Sequence, residues 1–208
     1  MRVAIFGTVG AGKTTLIKNI QSLLPDYVTF WEPLEKNPYF SQLYTNSKDT
    51  QTITYKMEIW MLAARMKQLK QASEQKEVLF DRGVMDTIIF ADTNHQLKKL
   101  DTRDWEVYSD YFQIATIPSL FNTQDPAYDL VVYLKVDSQV SIDRIRVRGI
   151  ESEQNVDLMF WDILNQTYDK WYEKLKDCVP FLVINGNNDN SKVLAQQVVE
   201  TIKQQQKQ

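Results

Sequence analysis

The 208-residue chain contains one cysteine, Cys178, and one histidine, His95. A single thiol excludes an intrachain disulfide, and a reducing compartment suits it. One cysteine and one histidine also leave no Cys/His cluster for a structural metal. His95 lies in the polar stretch Thr93-Asn94-His95-Gln96 and reads as a loop residue rather than a catalyst or ligand. Glycine and proline are sparse, six of each. No segment rich in Pro, Gly or Ser divides the chain, and no internal repeat is present. A large excess of one charge is missing too. The net charge is −3, so no global basic field recruits nucleic acid, and none is expected as a partner. No charged-then-apolar leader is read at the start, and no apolar run is long enough to span a bilayer. A cytoplasmic enzyme with no membrane partner is the expectation. The length suits one domain, residues 1–208, with a sizeable core. The 43% hydrophobic and 25% charged content is that of a soluble globular protein.

Against these absences stand five apolar, β-branched or aromatic runs that read as strands, at residues 3–6, 27–31, 78–80, 130–136 and 181–184. Helical patterns lie between them, at 52–72, 105–120, 140–148 and 157–175, with a polar final helix near 192–207. Strands alternating with helices predict an α/β fold with a five-stranded, mostly parallel sheet flanked by helices. Leu130-Val131-Val132-Tyr133-Leu134 is apolar on both faces, as a central covered strand should be.

The strongest single motif is Gly7-Thr8-Val9-Gly10-Ala11-Gly12-Lys13-Thr14, a G-x-x-x-x-G-K-[ST] phosphate-binding loop. Its context is correct: the strand Arg2–Phe6 precedes it, and a helix opens at Thr15. Glycines let backbone N–H groups turn inward around phosphate oxygens at a helix N-terminus. Lys13 would reach the β- and γ-phosphates of a triphosphate, and Thr14 would hold Mg²⁺ through its hydroxyl.

Open α/β sheets bind ligands beyond the carboxyl ends of their strands. Strand two is followed by Glu32-Pro33 and strand three by Asp81-Arg82. After strand five comes Asn185-Gly186-Asn187-Asn188-Asp189, with Asn187 and Asp189 as candidate nucleotide contacts. The helix after strand four ends in Arg144, Arg146 and Arg148, and Arg144 and Arg148 share a face at i, i+4. Asp81 would act through Mg²⁺, as a carboxylate at the Walker B position does. The guanidinium of Arg82 suits a phosphate or hydroxyl oxyanion.

In these ordered motifs the chain resembles the deoxynucleoside kinase family over nearly its full length, and most resembles the small bacterial members that phosphorylate purine deoxynucleosides. The motifs are the loop ending Gly12-Lys13-Thr14-Thr15, Trp31-Glu32-Pro33, Asn37-Pro38-Tyr39-Phe40, Phe80-Asp81-Arg82, and Arg144-Ile145-x-x-Arg148-Gly149 followed by Glu153. The resemblance implies a P-loop kinase-like fold with a lid at about 144–156, ATP as phosphate donor, Mg²⁺, and a homodimer. It implies Glu32 as the base on a substrate 5′-hydroxyl. It also implies Arg144 and Arg148 as cationic lid groups, and Glu153, with Tyr44 as partner, as the contact to the sugar 3′-hydroxyl. The family often reads Arg-Gly-Arg-x-Glu-Glu where this chain reads Arg148-Gly149-Ile150-Glu151-Ser152-Glu153, so the second lid arginine is replaced by Ile150.

The base pocket is expected around Glu58, Arg65, Asp86 and Phe90. Glu58 lies inside an apolar stretch, where an unpaired carboxylate is costly. Arg65 lies two turns further along the same face. Asp86 and Phe90 match an acidic and an aromatic base-contacting position of the family. The family usually has glutamine at position 58. An ionised carboxylate only accepts, so it would suit the N1–H and 2-amino donors of guanine, with Arg65 donating to O6 or N7. A purine deoxynucleoside is therefore expected, deoxyguanosine ahead of deoxyadenosine. The competing expectation is that Glu58 pairs internally with Arg65 or Lys56. The stripe Tyr108, Tyr111, Phe112, Trp161, Tyr168, Trp171 and Tyr172 reads as core or subunit interface. Two other functions compete: a nucleoside monophosphate kinase, which would need cations where Glu32 stands, and a nucleotide-binding regulatory module with little turnover.

Overall fold

The computed structural model describes all residues except 45–48, 123, 151–152, 154–155, 188–189 and 208, and the side chains of 43 and 44 also lie outside the described set. The strands are β1 (Arg2–Phe6), β2 (Val28–Phe30), β3 (Val78–Asp81), β4 (Leu130–Lys135) and β5 (Phe181–Asn185). The helices are α1 (Lys13–Leu23), α2 (Thr50–Ala72), α3 (Met85–Gln96), α4 (Thr102–Tyr111), α5 (Ile117–Leu120), α6 (Ser138–Arg148), α7 (Leu158–Leu175) and α8 (Ser191–Gln205). Two 3₁₀ turns, Leu34–Lys36 and Ser41–Tyr44, follow β2, and a π-helical stretch, Phe112–Thr116, joins α4 to α5.

The strands lie in the order β2-β3-β1-β4-β5, and every described pairing is parallel. Alternation along β1 sends Ala4 and Phe6 to one face and Val3 and Ile5 to the other. The first face packs with Val131 and Tyr133 of β4 against α2, α3, α4 and α7. The second, with Leu130, Val132 and Leu134, is covered by α1 and α8. Both faces are buried, which is why β1 and β4 are near-continuous apolar runs.

Several helix starts follow from their caps. The Asp101 carboxylate accepts from Arg103 N, Asp157 from Met159 N, and Asn190 from Val193 N, each satisfying an otherwise orphaned donor. Gly149, in the left-handed conformation at φ 69°, ends α6.

One helix departs from the sequence reading. Residues 85–96 form α3, so His95 lies in a final helical turn, its ring stacked on Trp105 at 5.4 Å. Met85 to Asn94 are all buried except Phe90. A helix enclosed on nearly every side carries no amphipathic period to read. Asp92 ties α3 to α7 by accepting from Trp171 Nε1 at 2.8 Å and Lys170 Nζ at 2.9 Å. Of the aromatic stripe, Tyr108, Phe112, Trp161, Tyr168 and Trp171 are core, Tyr172 packs partly against it, and Tyr111 is exposed. No described helix is long and apolar enough to cross a membrane.

Candidate active site

The loop between β1 and α1 is shaped by glycine and held from behind by α6. Gly10 has φ 77°, and a Cβ there would stand 2.5 Å from the Ser141 carbonyl oxygen. Gly12, the N-cap of α1, has φ 97°. Only glycine takes such angles at little cost. Ser141 Oγ donates to Val9 O at 2.6 Å, and Arg144 Nη1 donates to Ala11 O at 3.4 Å. The arginine helix is therefore packed on the loop that its charges would serve.

Lys13 is folded back onto this loop, donating to Thr8 O at 2.7 Å. Burial, then the positive charge of Arg82, lowers its pKa to about 7, against the pull of Asp81, Glu32 and Asp86. Thr14 Oγ1 donates to Asp81 Oδ2 at 3.5 Å, and Asp81 Oδ1 is buried without a partner, as is Thr8 Oγ1. A buried carboxylate oxygen with no donor beside a hydroxyl suits a hard cation that keeps waters and phosphate oxygens as its remaining ligands. No described cluster of three or more His, Cys, Asp or Glu residues offers an all-protein metal site. The two groups thus fit Mg²⁺ carried with a triphosphate, which Thr14 and Asp81 would hold.

Glu32 is the centre of the charge network. Arg65 Nη2 donates to its Oε1 at 2.8 Å, and Arg82 Nη1 donates to its Oε2. Burial alone would raise the Glu32 pKa, but Arg82 and then Arg65 outweigh it and hold the carboxyl below its ordinary range. Arg82 sits immediately after β3 with φ 64°, a strained angle for a non-glycine residue. Its guanidinium is clamped by Tyr168, whose Oη accepts from Nε at 3.2 Å and donates to Asp86 Oδ1 at 2.7 Å. Gly83 N donates to Asp86 Oδ2 at 2.8 Å. Burial raises the Asp86 pKa despite the nearby Arg65 and Arg82. Phe90 faces the same arginine, its ring centroid 5.1 Å from Arg82 Cζ.

Glu58 and Arg65 are 1% and 3% exposed on α2. They are not joined by a salt bridge: Arg65 is directed to Glu32, and Glu58 Oε1 accepts from Asn94 Nδ2 at 2.8 Å. Arg65 Nε is buried without a partner. Burial pushes the Glu58 pKa up to about 8, more than Arg65 and Asn94 lower it. Burial thus opposes the ionised Glu58 that the sequence reading assumed, and the nearby Arg65 guanidinium is directed to another carboxylate.

Other candidates are placed as follows. Arg144 Nη2 donates to Asn187 O at 3.3 Å. The Asn187 side chain accepts from Asp137 N at 2.9 Å, so it links the end of β5 to the start of α6. Arg148 donates to Glu153 Oε2 from Nε at 3.1 Å and from Nη2 at 2.5 Å, which ties the end of α6 to the segment that follows it. Asp189 and the Tyr44 side chain lie outside the described residues. Sequence reasoning missed Asn94 and Tyr168 as site residues. Tyr168 carried only an aromatic-stripe signal, and Asn94 carried none.

A family model described as deoxynucleoside kinase matches residues 3–207. The chain is 28% identical over 178 residues to a deoxyadenosine/deoxycytidine kinase of Bacillus subtilis (strain 168), covering 85% of this chain and 78% of that one. It is 26% identical over 198 residues to a deoxyguanosine kinase of the same organism, covering 91% and 87%. A solved structure of deoxyadenosine kinase from M. mycoides with bound dATP superposes with a TM-score of 0.84 at 35% identity, covering 98% of this chain and all of that one.

Proposed function

The chain belongs to the deoxynucleoside kinase family, and on that premise we propose that it transfers the γ-phosphoryl group of ATP to the 5′-hydroxyl of a purine 2′-deoxynucleoside, forming the 5′-monophosphate. The observation that carries this reading is the Glu32 carboxylate, held between Arg65 and Arg82 and close enough to Lys13 of the phosphate loop for the two charges to interact. A carboxylate kept ionised at the junction of donor loop and acceptor pocket can orient a hydroxyl and receive its proton. Arg82, fixed by Tyr168, stands beside that carboxylate, where it can hold the reacting oxygens. Lys13 and Arg144 adjoin the loop that would cradle the triphosphate. Mg²⁺ at Thr14 and Asp81 would supply neutralisation of triphosphate charge.

The purine preference rests on Arg65. Its unpartnered buried Nε is a spare donor, and purines carry an N7 acceptor that pyrimidines lack. Relatives named for deoxyadenosine, deoxycytidine and deoxyguanosine make the base a matter for direct assay. The reading includes a homodimer, supported by an exposed apolar row on α4 and the π-helical stretch: Val107 at 61%, Tyr111 at 59% and Ile114 at 77% exposure. It also includes a cytoplasmic setting, supported by a single, unpaired Cys178.

The test is phosphorylation of the four deoxynucleosides with ATP and Mg²⁺, beside Glu32→Ala. The variant should still bind nucleoside but lose about 10²-fold or more in kcat. A wild-type rate in Glu32→Ala removes the proposed base. Activity on nucleoside monophosphates in place of nucleosides overturns the acceptor assignment.

A further inference from the structure

Two carboxyl groups, Glu32 and Glu58, compete for one arginine, and Glu32 has it. The charged and titratable groups around Glu58 are few. Arg65 stands on its own helix, Glu32 comes from the segment after β2, and Tyr108 comes from α4. From α3 the contact is the amide of Asn94, and Asp86 on that helix is a further acid beside Arg65. The two arginines of the site are directed to Glu32 and Asp86, and Glu58, buried beside them, has among the described residues only the Asn94 amide as a hydrogen-bond partner. A carboxyl in that setting keeps its proton, because burying an uncompensated charge costs more than holding the acid form. The upward displacement of Glu58 to about 8 agrees with the geometry.

The acid and its anion are different readers of a base. The acid has one O–H donor and one carbonyl acceptor, the same pair that a glutamine amide offers; the anion has acceptors only. Adenine presents N6–H as donor and N1 as acceptor on adjacent positions, and the acid satisfies both. Guanine presents O6 as acceptor and N1–H as donor, and the acid satisfies these as well. The anion pairs with guanine N1–H and the 2-amino group, but it leaves adenine N1 opposed to negative charge.

We propose that Glu58 reads the base as a neutral carboxylic acid, accepting both adenine and guanine, and that loss of its proton narrows the pocket to guanine. The inference rests on the reading of the chain as a purine deoxynucleoside kinase and adds to it a protonation-dependent specificity residue.

The experiment is the ratio of kcat/KM for deoxyadenosine to that for deoxyguanosine, followed across neutral to alkaline pH in wild type and Glu58→Gln. Taking the ratio cancels titrations that affect transfer to both substrates alike. In wild type it should hold constant below the titration of Glu58 and then fall by about tenfold per pH unit. In Glu58→Gln it should be flat. A flat wild-type ratio with both substrates phosphorylated, or the same fall in Glu58→Gln, overturns the inference and leaves the kinase reading intact. Infrared difference spectroscopy of the free proteins at neutral pH gives an independent readout. A carboxylic-acid C=O band present in wild type and lost in Glu58→Gln is expected, and its absence overturns the inference. If neither deoxynucleoside is phosphorylated, the functional reading fails, and the infrared band still decides the protonation of Glu58.

Discussion

Removing one oxygen, by Tyr168→Phe, tests how the site is held. The Tyr168 ring packs edge-on against Phe6 at 4.9 Å and lies near Phe90 and Tyr133, and phenylalanine keeps those contacts. The hydroxyl does two things at once: it accepts from Arg82 Nε and donates to Asp86 Oδ1. Deleting it leaves one nitrogen of a buried guanidinium and one oxygen of a fully buried carboxyl without these partners. Each such orphan costs about 1–3 kcal/mol, so the variant should lose roughly 2–6 kcal/mol of stability. The pH dependence has a definite sign. The Asp86 pKa is already raised, chiefly by burial, and the Tyr168 hydrogen bond is one of the interactions lowering it. Losing that bond raises it further. A carboxyl whose folded pKa lies above its unfolded value loses stability as pH rises from the unfolded towards the folded value. The deficit of Tyr168→Phe should therefore be larger at neutral pH than in mild acid. Arg82 would also be less firmly aimed at Glu32, so kcat should fall about tenfold with a smaller change in KM. Urea unfolding at the two pH values and steady-state kinetics measure all three effects. A deficit under about 0.5 kcal/mol, or one independent of pH, refutes the clamp.

Two further outcomes follow from the phosphate loop. Gly10→Ala combines a positive φ with a Cβ 2.5 Å from the Ser141 carbonyl oxygen, so α6 must be displaced. Nucleotide affinity measured by calorimetry should fall at least about tenfold, with roughly 1–2 kcal/mol lost to the left-handed angle alone; unchanged affinity refutes the close packing of α6 on the loop. Lys13, with its pKa lowered to about 7, is mostly neutral at mildly alkaline pH and should regain its proton against a triphosphate. Calorimetry of ATP·Mg²⁺ binding in buffers of different ionisation enthalpy should then show uptake approaching one proton at about pH 8. No uptake there refutes the burial argument for Lys13.

The parts of the site legible in the sequence are those whose residues adjoin along the chain. The strand before Gly7, the glycines and the Lys13-Thr14 pair form one local unit, and their spacing is itself the mechanism for binding phosphate. Glu32, Asp81 and Arg82 were legible for a positional reason, since each follows a strand and strand ends in an open sheet meet at one edge. The helix α3 was not legible, because enclosure on nearly every side erased its period and placed His95 in apparent loop sequence. Glu58 and Arg65 were rightly read as neighbours on one buried helix face, but their pairing was not, because Arg65 bonds across 33 positions to Glu32.

By itself the sequence determined the order of the strands and of the helices other than α3, the phosphate loop and the set of charged groups at the strand ends. These depend on backbone periodicity, on glycine conformations and on which residues follow which. Only the tertiary structure decided which charges are paired and which protons are held. Asn94 reaches Glu58 across 36 positions, and Tyr168 joins Asp86 and Arg82 across 82 and 86. Those distances exist only once α2, α3 and α7 pack together and exclude water. In the low dielectric they create, arginines directed to Glu32 and not to Glu58 favour the ionised form of the first carboxyl, while burial favours the neutral form of the second.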